Sequence, residues 1–405
     1  MKKKLNLIIK NNISKFFTNN RVKKNLTNIE KTLKNIETNI DKTENIFFTL
    51  SKKYKFNFSY SDLSKYKKFN TVIIIGMGGS LLGSKAIYSF LKHKIKKNFI
   101  FFDNIDEKKI YELRKDNKKS KSLFIVISKS GNTIETLINL DLLTKVKRTS
   151  VNTILITEKN NSSLIEYSKK NKISVIEHKE YIGGRYSVLS EVGMIPAYLM
   201  GLNVKSFRKN ILKYFHKRNQ NILIDGASKI SNIYSSRKIS SIVFLNYSIN
   251  LKDFLYWAQQ LIAESLGKKN KGLMPIVSTA PKDHHSLLQL YLDGPKDKIF
   301  YIFSSTSSYN FKTSKNYFGT SSKFLKNKYL NNIIFSQKKA FIEILKKKGI
   351  PYREIHTNHL NEQTIGELFS YFMLETILIG KQLNINPFNQ PAVEEIKLLT
   401  KRFLS

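Results

Sequence analysis

TVIIIGMGGSLLGSKAIYSF, residues 71–90, decides the fold. Four β-branched residues, Val72 to Ile75, run straight into Gly76-Met77-Gly78-Gly79-Ser80, and an apolar stretch with helical potential follows. A buried strand that ends in glycines and opens a helix makes an anion seat. Glycine lets the backbone turn sharply, and the helix N-terminus offers unpaired N–H groups and the positive end of its dipole. The spacing is not that of the dinucleotide fingerprint, because Gly76, Gly78 and Gly83 lie two and five apart. Asp103 alone stands near the place of a ribose-binding acid. A plain structural turn is the alternative for this segment taken by itself.

A second seat follows about fifty residues on. SLFIVI, residues 122–127, runs into Ser128-Lys129-Ser130-Gly131-Asn132-Thr133-Ile134-Glu135-Thr136. Hydroxyls, a lysine and a glycine at a strand-to-helix junction suit a phosphate monoester. The P-loop order is absent. An N-cap by Thr133 or Ser130, with Glu135 in the first turn, accounts for one or two of these residues and not for the cluster.

The 405-residue chain is long enough for two domains with proper cores, and 41% hydrophobic residues argue for a globular protein. No apolar run approaches a membrane span. MKKKLNLIIKNN imitates the charged opening of a signal peptide, but its apolar part is only Leu5 to Ile9. An edge strand or a helix start is expected there, and the cytoplasm is the default compartment. The absence of cysteine excludes disulfides, thiolate metal sites and a cysteine nucleophile. A formal charge of +40 ordinarily raises nucleic acid as a partner. Here lysine is spread along the whole chain together with asparagine and isoleucine, the pattern of compositional bias, so no specific nucleic-acid binding and no membrane partner are expected. The positive field would attract a small anionic substrate.

Val22, Leu26, Ile29, Leu33, Ile36 and Ile40 recur at near-helical spacing and predict one long amphipathic helix across 20–53. Strands are expected at 71–76, 99–103, 122–128, 152–157 and 172–178, with helices between them, which makes a doubly wound parallel sheet. A helical stretch over 186–235 leads to a second set: a strand at 241–247, a helix at 251–266, and strands at 275–279, 298–304 and 351–356. Two helices, 361–382 and 391–404, split by Asn386-Pro387, end the chain. No low-complexity linker separates the two α/β units, so close packing between them is expected.

Four further segments carry chemistry. Gly183-Gly184 brings the backbone close to a neighbour and fixes Arg185 beside it. In the 251–266 helix, Phe254, Trp257, Ala258 and Leu261 face the core, while Gln260 and Glu264, four apart, share another face. Glu264 stands at the helix end whose dipole disfavours an anion, which suits a base; a surface pair with Lys268 is the alternative. His284-His285 lacks metal-ligand spacing, and one imidazole for proton transfer is favoured over a structural role. In NPFNQPAVEEIK, residues 386–397, Pro391 opens a helix, and Lys397 by itself reads as a solvated lysine.

In this order, GMGGSLLG, SKSGNTIET, GGRYSVLS, the Gln260–Lys268 segment QLIAESLGK, HHSLLQ and NPFNQPAVEEIK resemble the phosphoglucose isomerase family in a short bacterial-type version, from about residue 45 to the C-terminus. The first two motifs occur in sugar isomerase domains generally; the last four are more specific. The resemblance implies an α/β fold of two sugar isomerase domains, each a parallel sheet flanked by helices, and a C-terminal helical arm, divided as 1–200, 201–360 and 361–405. It implies reversible conversion of glucose 6-phosphate to fructose 6-phosphate, through ring opening and an enediol, in glycolysis and gluconeogenesis. Mannose 6-phosphate as an added substrate, or a non-catalytic phosphosugar-binding regulator, are the alternatives.

By the same resemblance Ser128, Lys129, Ser130 and Thr133 hold the phosphate, and Gly79 and Ser80 line the sugar site. Glu264 moves the proton, Arg185 stabilises the enediolate, His285 and Lys397 assist ring opening, and Gln260 and Gln390 position the substrate. No metal and no cofactor is implied. A homodimer is, with the histidine supplied by the partner chain. Met77, Asn132, His284, Asn389 and Ala392 depart from the usual motif residues, which bears on fine geometry more than on the reaction.

Overall fold

The computed structural model describes residues 5–13, 19–115, 122–144, 152–307, 309–314 and 319–405. Its strands are β1 (Leu7–Asn12), β2 (Thr71–Gly76), β3 (Asn98–Phe102), β4 (Ser122–Ile127), β5 (Thr153–Thr157), β6 (Ser174–Glu177), β7 (Ser241–Asn246), β8 (Met274–Thr279), β9 (Lys298–Ser305) and β10 (Tyr352–Thr357). They form two five-stranded sheets, β3-β2-β4-β5-β6 and β1-β10-β9-β7-β8. The first is parallel throughout. The second is parallel apart from β1, which runs antiparallel to β10 at the edge. Read from the other side, the second order is β8-β7-β9-β10-β1, so β2, β3, β4, β5 and β6 correspond in place to β7, β8, β9, β10 and β1. The N-terminal strand thus completes the sheet of the later unit and occupies the place that β6 has in the first.

The sequence dictates this arrangement. β4 is buried along its whole length and β2 from Val72 onward, because a parallel strand covered by helices on both faces must be apolar on both. The first sheet separates one apolar layer containing Ile73, Ile75 and Val126 from another containing Val72, Ile74 and Ile125. That second layer is continuous with one face of the second sheet and with the Glu362–Gln382 helix, so the two units share a single core.

Two expectations change in detail. The long N-terminal helix stops at Asn39, and a turn and a short 3-10 helix, Ile46–Leu50, follow. Glu44 takes a left-handed φ of 64° and Asn45 caps the new turn, bonding Phe47 N–H, so the periodic pattern is broken by local turn chemistry. The 186–235 stretch is divided into Glu191–Leu199, Val204–Phe207 and Lys217–Ser236. Gly201, at φ 82°, ends the first of these.

The Glu362–Gln382 helix is buried nearly all round, and its acids are paired accordingly. Glu367 accepts from Lys213 at 2.6 Å, Tyr214 at 3.0 Å and Asn210 at 3.1 Å. Glu375 receives two parallel bonds from Arg353 of β10, at 2.9 and 2.8 Å, and a third from Tyr371. Arg353 is fully buried. Replacing it with methionine strands the Glu375 charge in the core. Urea unfolding of Arg353→Met is therefore expected to show a loss of about 3–5 kcal/mol, with much of it recovered when Glu375 is also made apolar.

Candidate active site

The site is assembled where the carboxyl ends of the first sheet meet the helix that follows β7. β2 and β4 end side by side, with Gly76 in register with Ile127, so the glycine loop and the hydroxyl loop are neighbours on one rim. That rim is where open α/β sheets bind ligands.

In the hydroxyl loop the Ser128 and Thr133 hydroxyls lie 2.9 Å apart, Gly131 N–H donates to Ser128 Oγ at 3.2 Å, and Asn132 N–H donates to Ser130 Oγ at 3.3 Å. Gly131 has φ +68°, and a Cβ there would come within 2.2 Å of Ser162 Oγ, so only glycine fits the turn. Lys129 departs from its expected role: its ammonium donates to Glu180 O at 2.8 Å and faces Glu158 at 3.4 Å. Its side chain serves the neighbouring loop, which leaves its backbone to the hydroxyl cluster. Beneath the loop, Thr157 Oγ1 donates to Lys129 O, and the adjacent His178 is buried, which brings its imidazole down to about 4 and keeps it neutral.

The glycine loop meets the rest of the site by close approach. Gly78 has φ +51°, and a Cβ on it would lie 2.6 Å from Gln260 Nε2. A Cβ on Gly79 would lie 2.2 Å from the carbonyl carbon of Gly184. The glycines thus press the 76–80 turn onto Gln260 on one side and onto the Gly184-Arg185 backbone on the other. Ser80 is buried at the start of the Gly79–Phe90 helix. Asp103 pairs with Lys85 at 2.6 Å, which commits it to a structural ion pair.

Arg185 is 2% exposed and donates all five of its N–H groups. Nε bonds Ser265 Oγ at 2.8 Å, Nη1 bonds Glu264 Oε2 at 3.2 Å and Gln390 Oε1 at 2.6 Å, and Nη2 bonds the carbonyls of Pro387 at 2.7 Å and Asn389 at 3.1 Å. Glu264 receives Gln260 Nε2 on its other oxygen at 2.8 Å, so both oxygens are held while the side chain stays 26% exposed. The alternative, a surface pair of Glu264 with Lys268, is not formed; Lys268 instead bonds Asn386 O at 2.7 Å. A cavity of about 940 Å³ opens beside Glu264 and Gln390.

The geometry brings together Gly79, Arg185, Gln260, Glu264 and Gln390, with Ser80 and the Ser128–Thr133 loop on the adjoining rim. It leaves two predicted residues apart. His285 is exposed at the end of the 3-10 turn Lys282–His284, beyond β8, and Lys397 is exposed on the Ala392–Leu404 helix. His284, by contrast, is half-buried, bonds Tyr247 at 2.8 Å and stacks on Phe341, a structural role. Sequence reasoning missed Ser265, Tyr186 and the carbonyls of Pro387 and Asn389. Ser265 stands next to Glu264 in the QLIAESLGK segment, and its place there was the available signal; backbone acceptors leave none.

A family model described as phosphoglucose isomerase matches residues 17–285, and a glucose-6-phosphate isomerase of Methanocaldococcus jannaschii is 35% identical over 352 residues, 85% of this chain and 87% of that one. The chain belongs to the phosphoglucose isomerase family. Solved structures agree in fold. A hypothetical protein from Thermus thermophilus superposes with a TM-score of 0.84 at 22% identity, covering 98% of this chain and 100% of that one. A glucose-6-phosphate isomerase from Chlamydia trachomatis gives 0.71 at 20% identity, covering 85% and 71%.

The close approach at Gly79 generates a test. Gly79→Ala forces the glycine loop off the Gly184-Arg185 backbone by more than a side-chain rotation can absorb. Isomerase turnover in that variant is expected to fall by about 10²-fold, the scale of an ångström-sized misplacement, with the far-ultraviolet circular dichroism unchanged.

Proposed function

We propose that the protein interconverts glucose 6-phosphate and fructose 6-phosphate by proton transfer through an enediolate, and that Glu264 is the base. The observation that carries this reading is the Arg185–Glu264–Gln260 unit, one carboxylate clamped between a buried guanidinium and an amide against the glycine loop. The chemistry needs no more than these groups in the proton-transfer step. Glu264 takes the proton from C2 of the open-chain aldose, and the C2–H electron pair forms the C1–C2 double bond as the C1 carbonyl becomes an enediolate oxygen. The proton of the C2 hydroxyl passes to the C1 oxygen, the carboxylic acid returns its own proton to C1, and the C2–O bond becomes the new carbonyl. Charge develops on oxygen in a recess where the Arg185 cation is held fixed, so little reorganisation is required as it forms.

In this reading the Ser128, Ser130 and Thr133 hydroxyls and the Lys129 backbone anchor the phosphate, and Gly79 and Ser80 line the sugar. Gln260 and Gln390 orient it. Anchoring a non-reacting group lets its binding energy place C1 and C2 over the base. His285 and Lys397 belong to ring opening. His285 is assigned to a partner subunit's site, because in its own chain it is exposed past the carboxyl end of the edge strand β8. The protein is accordingly proposed to act as a cytoplasmic homodimer, with a dissociated monomer nearly inactive. The division at about residues 200 and 360 is part of the same proposal.

A coupled assay of fructose 6-phosphate conversion in the presence of EDTA tests substrate, reaction and metal independence together; full activity is expected. Glu264→Gln should lower kcat by roughly 10³-fold or more while phosphosugar binding stays within about threefold. Wild-type turnover in that variant would reject the assignment. Ser128→Ala and Thr133→Val should each raise KM by about tenfold, the loss of one hydrogen bond to a charged group, and an unchanged KM in both would place the phosphate elsewhere.

A further inference from the structure

Lys268 lies just beyond the catalytic helix, in a turn whose residues Lys269 and Asn270 both have φ of 53°. Its ammonium donates to Asn386 O at 2.7 Å and to Ser265 O at 3.3 Å. Lys271 donates to Leu383 O at 2.9 Å, and Lys269 reaches Asn384 O at 3.4 Å. Three lysines of one turn therefore grip the carbonyls at the end of the Glu362–Gln382 helix and along the 383–386 segment. Cations are favoured at that helix end, where the carbonyls lack helical partners. The gripped segment continues into Pro387, Asn389 and Gln390, which supply three of the five acceptors of Arg185.

We propose that Lys268 is a positioning residue for the isomerisation: by holding Asn386 it fixes the 386–390 loop, and through that loop it sets Arg185 and the Glu264 carboxylate. The proposal rests on the isomerase reading above. It separates Lys268 from its neighbours, since Lys268 alone bridges the catalytic helix, through Ser265 O, and the loop. Nothing in 383–390 titrates. The charged groups acting on Lys268 are Arg185 across the site and Glu264 on its own helix, with Lys269 and Lys271 in its own turn. Burial and the nearby Arg185 cation bring the amine down to about 8, Glu264 opposing them. The charged form makes the stronger bond to a carbonyl. As pH rises through about 8 the ammonium is lost, the grip weakens and kcat falls.

The test compares wild type, Lys268→Met and Lys268→Arg on fructose 6-phosphate between pH 6.5 and 9.5. Lys268→Met is expected to lower kcat by about 10²-fold at pH 6.5, with the gap to wild type narrowing above pH 8 as the wild-type ammonium is lost, and with KM within about threefold because the hydroxyl loop is untouched. Its alkaline limb near pH 8 should vanish. Lys268→Arg should recover most of kcat and move the alkaline limb upward by more than one pH unit. A Lys268→Met enzyme with wild-type kcat and the same limb overturns the proposal. So does equal loss in both variants with KM raised alongside kcat, the sign of general damage to the fold. A wild type that does not isomerise fructose 6-phosphate overturns the underlying reading itself, which keeps the two failures distinguishable.

Discussion

Five hydrogen bonds from one buried guanidinium hold the candidate site together. Arg185 has no donor left over: two partners come from the helix after β7 and three, two carbonyls and the Gln390 side chain, from the loop before the last helix. A planar fork with five donors is the only protein side chain that can satisfy this set, since an ammonium offers three donors from one point. Burying a cation so completely is unfavourable unless every donor is met and a carboxylate lies close, and both conditions are fulfilled here. The guanidinium is therefore committed in place before substrate arrives, which is what stabilising an enediolate without reorganisation requires.

That commitment explains why the two α/β units pack as one body. The hydroxyl loop and glycine loop belong to the first sheet, Gln260 and Glu264 to the helix that follows β7 of the second, and Gln390 to the C-terminal segment. Glycines close the distances between them. Gly78 meets Gln260, Gly79 meets Gly184, and Gly83 would collide with Val188 if it carried a side chain. Phe388 packs edge-on against Phe47 and near Tyr186, tying the 386–390 loop to the N-terminal segment as well. The buried Arg353–Glu375 pair repeats the same logic deeper in the fold, between β10 and the Glu362–Gln382 helix.

Much of this was legible in the sequence because period and composition carry it. Buried parallel strands such as β4 and, past Thr71, β2 read as apolar runs, and the ends of the 252–266 and 362–382 helices fell within a residue of their expected places. Gln260 and Glu264 were placed on one face by their spacing alone. The remainder depended on contacts distant in sequence. That β1 joins the second sheet is decided by pairing with β10, more than three hundred residues away, and no local pattern encodes it. Lys129 looked like a phosphate ligand from its loop, yet its side chain turns to Glu158 and Glu180 O, which come from other connections. The carbonyls that seat Arg185 have no signature at all, since every residue has one.

The most direct measurement of the central claim is the turnover of Arg185→Lys, read together with its affinity for inorganic phosphate. Lysine keeps the charge but cannot reach five acceptors on two segments. The account predicts a fall in kcat of about 10³-fold or more, the scale of losing a preorganised charge stabiliser, with phosphate affinity within about threefold of wild type. A kcat within tenfold of wild type would contradict it, because charge alone, without the five-donor fork, would then suffice.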